Sequence, residues 1–176
     1  MRRGSMSAAG WIVTAALLLL AASPPARAES DEKRVQSDVR SMIEALYRGD
    51  AVTLLRFTHP QVIQAIGGSE AALAGTKRAL ERRKLIGVEL ESLEFPSEPE
   101  LMKGQGREFA IVHTRIVLSS GGRRVESRGF QLGVKDPGAS VWRYIEGSDI
   151  DDVKVQMMFP GFPVDYTFPG ITRQLL

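Results

Sequence analysis

The sequence predicts an α+β fold in which N-terminal helices pack on an antiparallel β-sheet. In the first half of the chain, apolar residues recur at the three-and-four spacing of one helical face. Across residues 107–147 the pattern changes to three extended segments, joined by turn sequences at residues 119–122 and 136–138. Helices followed by consecutive strands are typical of the α+β class.

Residues 1–28 have the features of a secretory signal peptide. Arg2 and Arg3 precede an apolar run at residues 8–22, and an A-x-A cleavage site follows at residues 26–28. The apolar run is shorter than the roughly 20 residues that a membrane-spanning helix needs. We therefore expect cleavage after Ala28 and export to the periplasm or the extracellular space, without a membrane anchor.

Removal of this peptide changes the charge of the protein. The full chain has 23 basic and 21 acidic residues, but Arg2, Arg3 and Arg27 precede the cleavage site and every acidic residue follows it. The mature chain then has 20 basic and 21 acidic residues, a net charge of about −1. Because these charges are interspersed and form no basic stripe, we expect no nucleic-acid binding. The chain has no cysteine, so its stability must come from packing.

The helical part of the chain has clear start and stop signals. Its segments are residues 35–47, Ala51–Phe57, 61–66 and 71–86. Gly49 is expected to end the first helix in the left-handed conformation, and Asp50 is expected to cap the second. His59 precedes Pro60, and the residue before a proline avoids helical geometry, so the second helix is interrupted there.

The outer face of the last helix is strongly basic. It carries Lys77, Arg78, Arg82, Arg83 and Lys84. A face of this kind is either an anion-binding surface or a solvated charged surface, and we interpret it as solvated.

The central hairpin has two possible registers. A two-residue turn places Arg115 opposite Arg128, whereas a four-residue turn at residues 119–122 places Arg115 opposite Glu126. Because like charges in direct opposition are unfavourable unless an anion lies between them, we favour the four-residue turn. His113 then lies opposite Arg128.

Both registers divide the hairpin into the same two faces, because side chains alternate along each strand. The large-residue face carries Phe109, Ile111, His113, Arg115 and Val117 with Glu126, Arg128, Phe130, Leu132 and Val134. The small-residue face carries Ala110, Val112, Thr114, Ile116 and Leu118 with Val125, Ser127, Gly129, Gln131 and Gly133. The pattern leaves open which face lies under the helices.

Two further strands flank the hairpin. A change of phase between Leu90 and Leu93 predicts a β-bulge in the first strand. In the last strand, residues 141–146, we expect Trp142 and Tyr144 on the small-residue face, where glycines leave room for their rings.

The remaining segments define the predicted domain organisation. Residues 29–34 are charged and expected to be disordered, and one domain spans residues 35–158. Residues 149–157 form either a short helix capped by Ser148 or a strand. Residues 159–176 form a C-terminal tail in which prolines and aromatic residues recur as far as Pro169, and we expect the tail to lie extended across the domain or across a partner chain.

The order of these elements resembles the nuclear transport factor 2-like superfamily, with its SnoaL-like and ketosteroid-isomerase-like domains. The similarity covers residues 35–150 and rests on Leu-Tyr-Arg-Gly-Asp at residues 46–50 and on Trp142 in the closing strand. The resemblance implies a secreted bacterial member with a cone-shaped domain, in which helices cover a curved sheet and leave a pocket. It also implies a homodimer formed through the sheet.

The candidate ligand-binding residues lie on the large-residue face. An apolar surface that ends in a few polar groups is typical of small-molecule pockets, and His113, Arg115 and Arg128 form such a polar end. His59 is a further candidate. Each histidine is either a general base or a structural residue, and we favour the structural role. Two histidines without cysteine predict no metal site, and no motif indicates a cofactor.

Three functions follow from these observations. The leading hypothesis is an exported, non-catalytic domain that binds a small, partly apolar and possibly acidic molecule. The resemblance also implies isomerases and dehydratases, so the first alternative is a lyase or isomerase with His113 as general base. The second alternative is a protein-interaction module that binds through its sheet or its C-terminal tail.

Overall fold

The structure is a computed structural model that describes residues 30–176, so the predicted signal peptide lies outside the described residues. Within this range the fold is α+β, as the sequence predicts. The helices are α1 (Asp31–Arg48), α2 (Ala51–Phe57), α3 (Pro60–Ala65), α4 (Ser69–Leu85) and α5 (Asp152–Met158). The strands are β1 (Glu89–Glu94), β2 (Glu100–Gly104), β3 (Arg107–Ser120), β4 (Arg123–Lys135), β5 (Arg143–Glu146) and β6 (Thr172–Leu175). None of the described helices is long and apolar enough to cross a membrane.

The signals that end α1 and begin α2 act as predicted. Gly49 adopts a φ of +82° and ends α1. The Asp50 carboxylate accepts a 3.0 Å hydrogen bond from the Thr53 N–H and begins α2. The start of α1 differs from expectation, because residues 31–34 are not disordered but form its first turn. The acidic group of Asp31 lies there, where it stabilises the positive end of the helix dipole.

The sheet is antiparallel and open. Each of its two long strands, β3 and β4, pairs along its outer edge with two short strands. The strand order is β1-β3-β4-β5, with β2 also paired to β3 and β6 also paired to β4. The register of β1 shifts between Leu90 and Ser92, which confirms the predicted β-bulge. The sequence does not predict β2 and β6, since each is at most five residues long and carries little apolar alternation.

The predicted register of the β3–β4 hairpin is wrong, although its two faces are as expected. Pairing continues to Ser120 and Arg123, so the turn consists of only the two glycines between them, with φ of +57° and +78°. Positive φ at both central residues is typical of a type I′ turn, whose twist matches that of the strands. Arg115 therefore lies opposite Arg128, and His113 does not face Arg128.

The small-residue face lies under the helices. One core cluster joins α1 to this face and contains Val35, Val39, Met42, Ile43, Ala110, Val112, Trp142 and Tyr144. A Cβ at Gly133 would lie 3.1 Å from Tyr144 and 3.3 Å from Trp142, so the glycine makes room for both rings, as predicted. The Tyr144 hydroxyl donates to Asp38 at 3.0 Å, and the Trp142 indole donates to Asp31 at 3.3 Å. These hydrogen bonds fix α1 on the sheet.

The large-residue face is covered by the C-terminal segment. Phe159 and Phe162 are almost completely buried and contact Phe109 edge to face, with ring centres 5.9 Å and 5.0 Å from it. The core is therefore continuous across the predicted boundary between residues 158 and 159. The segment lies across its own domain, and its last residues return to the sheet as β6.

The segment between β5 and this C-terminal segment is helical. The Asp151 carboxylate accepts a 2.8 Å hydrogen bond from the Lys154 N–H and caps α5. Ser148, the expected cap, lies instead in the 3-10 turn Gly147–Asp149.

The docking of the C-terminal segment can be tested at Gly104. A Cβ at this position would collide with the backbone oxygen of Gly161. Because overpacking costs about 1–3 kcal/mol, we expect Gly104→Ala to lower the free energy of unfolding in urea by that amount. Gly75→Ala is the control, because nothing lies within 4 Å of its Cβ position. In the middle of α4 this change should raise stability by about 0.5–1 kcal/mol. A Gly104→Ala variant as stable as the wild type would contradict the docking.

Candidate functional site

A cavity of about 1010 Å³ lies between the helices and the small-residue face of the sheet. Strands β3 and β4 form its floor, and helices α1 to α4 supply the facing walls. Strands β5 and β6 contribute Glu146, Arg173 and Leu175 beside the floor. This volume is at the upper end of the range for small-molecule sites.

Most of the cavity wall is apolar. The helices contribute Met42, Ile43, Leu46, Leu54, Leu55 and Val62, and Ile66 lines the cavity directly after α3. The floor contributes Ile116, Leu118 and Val125, which share the small-residue face because side chains alternate along β3 and β4. This wall therefore favours a ligand that has a large apolar surface to remove from water.

Arg83, in the last turn of α4, brings a positive charge to the cavity. Its guanidinium carbon lies 5.0 Å from the centre of the Tyr47 ring, in a cation–π contact. Its Nη1 atom is buried, and no described residue accepts a hydrogen bond from it. Because a buried donor without an acceptor costs free energy, Nη1 is a ready contact for a ligand oxygen.

Gln131 is a second polar group in the cavity wall. It lies on the small-residue face of β4, opposite Glu146 of β5, and is 8% exposed. Its Oε1 atom is buried and has no hydrogen-bond partner among the described residues. Since the two orientations of an amide have nearly the same shape, Gln131 can present either a donor or an acceptor to a ligand.

Tyr47 lies among the charged groups of the cavity. Burial raises the pKa of its hydroxyl, Arg83 lowers it, Glu146 raises it and Arg173 lowers it. All three charged groups line the same cavity as Tyr47. The hydroxyl remains protonated at neutral pH and can donate or accept a hydrogen bond.

Arg115 and Arg128, two of the residues predicted from sequence, meet around Glu126 on the large-residue face. Arg115 Nη2 donates to Glu126 Oε2 at 2.6 Å, and Arg128 Nε donates to Oε1 at 2.7 Å. Arg115 also donates to Glu94 at 2.9 Å. Glu126 is 2% exposed, and the hydrogen bonds from Arg115 and Arg128 lower its pKa to about 2. Glu126 is therefore the anion that allows the two arginines to face each other.

His113 connects the sheet to the C-terminal segment through Glu100. Its Nε2 atom lies 2.8 Å from Glu100 Oε1, and the Tyr166 hydroxyl donates to Glu100 Oε2 at 3.0 Å. Burial and the hydrogen bond to Glu100 raise the pKa of Tyr166. His113 thus helps to hold the segment on the large-residue face.

His59 caps α3 and packs against Phe159, as the structural role favoured from sequence predicts. Its backbone N–H donates to the backbone carbonyl oxygen of Tyr144 at 2.9 Å, and its Nδ1 accepts from the Gln61 N–H at 3.2 Å at the start of α3. The ring contacts Phe159 edge to face at 5.1 Å. Nε2 lies 3.6 Å from Asp136, beyond hydrogen-bond distance, and burial lowers the pKa of His59.

The predicted site residues and the cavity lie in different places. None of His59, His113, Arg115 and Arg128 lines the cavity. The last three share the large-residue face, as expected, but their partners there are carboxylates of the same chain. Ligand binding by these residues remains a prediction.

The sequence contains a signal that distinguishes Arg83 from its basic neighbours on α4. Arg83 follows the buried Ala72 by eleven residues and the buried Leu80 by three, so both spacings turn it towards the protein, whereas Arg82 and Lys84 are exposed. The interpretation of this face as solvated is therefore wrong for Arg83.

Neither a metal-binding cluster nor a comparison with known proteins assigns a function to the chain. Among the residues described, no group of three or more histidines, aspartates and glutamates is placed to hold a metal ion. A scan against protein-family models finds no match, and a search of curated proteins finds no similar sequence. The interpretation of the cavity rests on its own geometry.

The buried carboxylate of Glu126 makes stability dependent on pH. Its pKa is about 2 in the fold and ordinarily 4.5, so its stabilising contribution is present above pH 4.5 and lost as the pH falls towards 2. We expect Glu126→Gln to lower the melting temperature at neutral pH, and the difference from the wild type to narrow below pH 4.5. Thermal unfolding followed by circular dichroism measures this difference. Glu91→Gln, at a more exposed ion pair with Arg124, should have little effect. A difference in melting temperature between Glu126→Gln and the wild type that does not change with pH would contradict the lowered pKa of Glu126.

Proposed function

We propose that the protein is an exported, non-catalytic domain of the nuclear transport factor 2-like type that binds a small, partly apolar molecule. The observation that carries this proposal is the cavity on the small-residue face, with its apolar walls and the unpartnered Arg83 Nη1 and Gln131 Oε1. Apolar walls with a few convergent polar groups are typical of ligand sites. The position of the cavity, between helices and a curved sheet, supports the resemblance to this superfamily.

The enzyme alternative is less well supported. A histidine base must lie within hydrogen-bond reach of its substrate, but neither His59 nor His113 lines the cavity. His59 caps α3, and His113 contacts Glu100. A reaction in this cavity would need another base, and the carboxylates in its wall are those of Glu146 and Asp149.

The interaction alternative loses support for one of its two expected surfaces, the C-terminal tail. Phe159 and Phe162, aromatic residues of the C-terminal tail, are buried against their own domain. Tyr166 and Phe168 pack against the same cluster. The C-terminal segment therefore stabilises this chain, and a small-molecule site remains the function that the geometry supports best.

A neutral fluorophore tests the proposed function. We expect N-phenylnaphthylamine to bind the wild-type protein with a rise in fluorescence, because the cavity wall is apolar. Ser127 lies on the cavity floor, and Ser127→Phe should fill part of the space and weaken binding by about tenfold or more.

The matched control is Thr172→Phe on β6. Thr172 lies next to Arg173, which faces the cavity, so its own side chain is on the opposite face of the strand. This variant should bind the fluorophore as the wild type does. Equal binding by the wild type and Ser127→Phe, or no binding by either, would overturn the proposal.

A further inference from the structure

The charges in the cavity wall favour one class of ligand. The charged lining residues are Arg83, Arg123, Arg173, Glu146 and Asp149. Three arginines and two carboxylates leave one net positive charge. A ligand with a single negative charge would neutralise the wall, whereas a phosphate monoester carries nearly two charges at neutral pH.

Arg83 is the group best placed to receive that charge. Its cation–π contact with Tyr47 restrains the guanidinium, while its Nη1 atom is buried without an acceptor among the described residues. The guanidinium group offers parallel N–H donors that match the two oxygens of a carboxylate. A bound carboxylate would therefore remove an existing desolvation cost as well as add a charge-assisted hydrogen bond.

The rest of the cavity can hold an apolar body. Leu46, Leu54, Leu55, Val62 and Ile66 line it from helices α1 to α3 and the start of the turn after α3. Gln131, on the floor, offers one further neutral hydrogen-bonding group. The ligand that satisfies both parts is an amphiphile with one acidic end.

We propose that this cavity binds an amphiphilic carboxylate, whose acid group pairs with Arg83 and whose apolar body lies against the walls from α1, α2 and α3. This inference rests on the proposed function, because it assigns a ligand class to the same cavity. It differs from the sequence-based expectation, which placed the acid-binding arginines at positions 115 and 128 on the opposite face.

The experiment compares two probes of equal chain length, dodecanoate and dodecanol, below their aggregation concentrations. Each is titrated against the protein loaded with N-phenylnaphthylamine, and the concentration for half displacement is measured. We expect dodecanoate to displace the fluorophore at roughly tenfold lower concentration than dodecanol, because a charge-assisted hydrogen bond is worth at least that factor.

Arg83→Gln identifies the residue responsible. This variant should lose the preference for dodecanoate, measured as the ratio of the two half-displacement concentrations, and its cooperative thermal unfolding by circular dichroism shows that it folds. Arg82→Gln is the matched control: it removes an adjacent, exposed charge of α4 that does not line the cavity. Its preference for dodecanoate should be that of the wild type.

The outcomes separate this inference from the proposal beneath it. Equal displacement by both probes in the wild type would overturn the carboxylate assignment and leave the cavity as a binding site. A preference that persists in Arg83→Gln, or is lost equally in Arg82→Gln, would overturn the role of Arg83. No binding of the fluorophore or of either probe would overturn both the inference and the proposed function.

Discussion

The pairing of β3 with β4 determines where the other elements of the domain pack. Because side chains alternate along both strands, the hairpin presents two faces, and both are rich in apolar groups that must be covered. The helices cover the small-residue face, and the C-terminal segment covers the apolar end of the large-residue face. The cavity lies where the cover over the small-residue face is incomplete, between helices α1 to α4 and the floor formed by Ile116 and Leu118.

The register of this hairpin shows how backbone and side-chain preferences compete. Direct opposition of Arg115 and Arg128 is unfavourable for an isolated pair, which is why a longer turn seemed preferable. A type I′ turn of two glycines favours the shorter connection, and Glu126 lies close enough to accept hydrogen bonds from both arginines. The carboxylate converts an unfavourable cross-strand pair into a three-residue network.

The sequence was sufficient for features with strong local signals. Gly49, Asp50 and the bulge near Leu90 were predicted because glycine conformation, capping and phase changes depend on neighbouring residues. The two faces of the hairpin were predictable because alternation is independent of register.

The covering of each face could not be predicted, because it depends on residues far apart in the chain, and the candidate site was placed on the face that the C-terminal segment occupies. The cavity residues were missed for the same reason. The position of Arg83 in α4 indicates that it faces the protein, but only the tertiary structure brings Arg83 and Gln131 to the same cavity.

The hydrogen bonds between α1 and the residues around β5 have a consequence for the order of folding. Asp31 contacts Trp142 across 111 positions, and Asp38 contacts Tyr144 across 106. Because most of the stability of a helix in a protein comes from tertiary packing, α1 is fully stabilised only after Trp142 and Tyr144 have joined its core cluster. The first helix made is thus consolidated late, while the β3–β4 hairpin, whose contacts are local, can form early. Refolding of this domain should therefore be limited by closure of the long loop that joins its beginning to its last third.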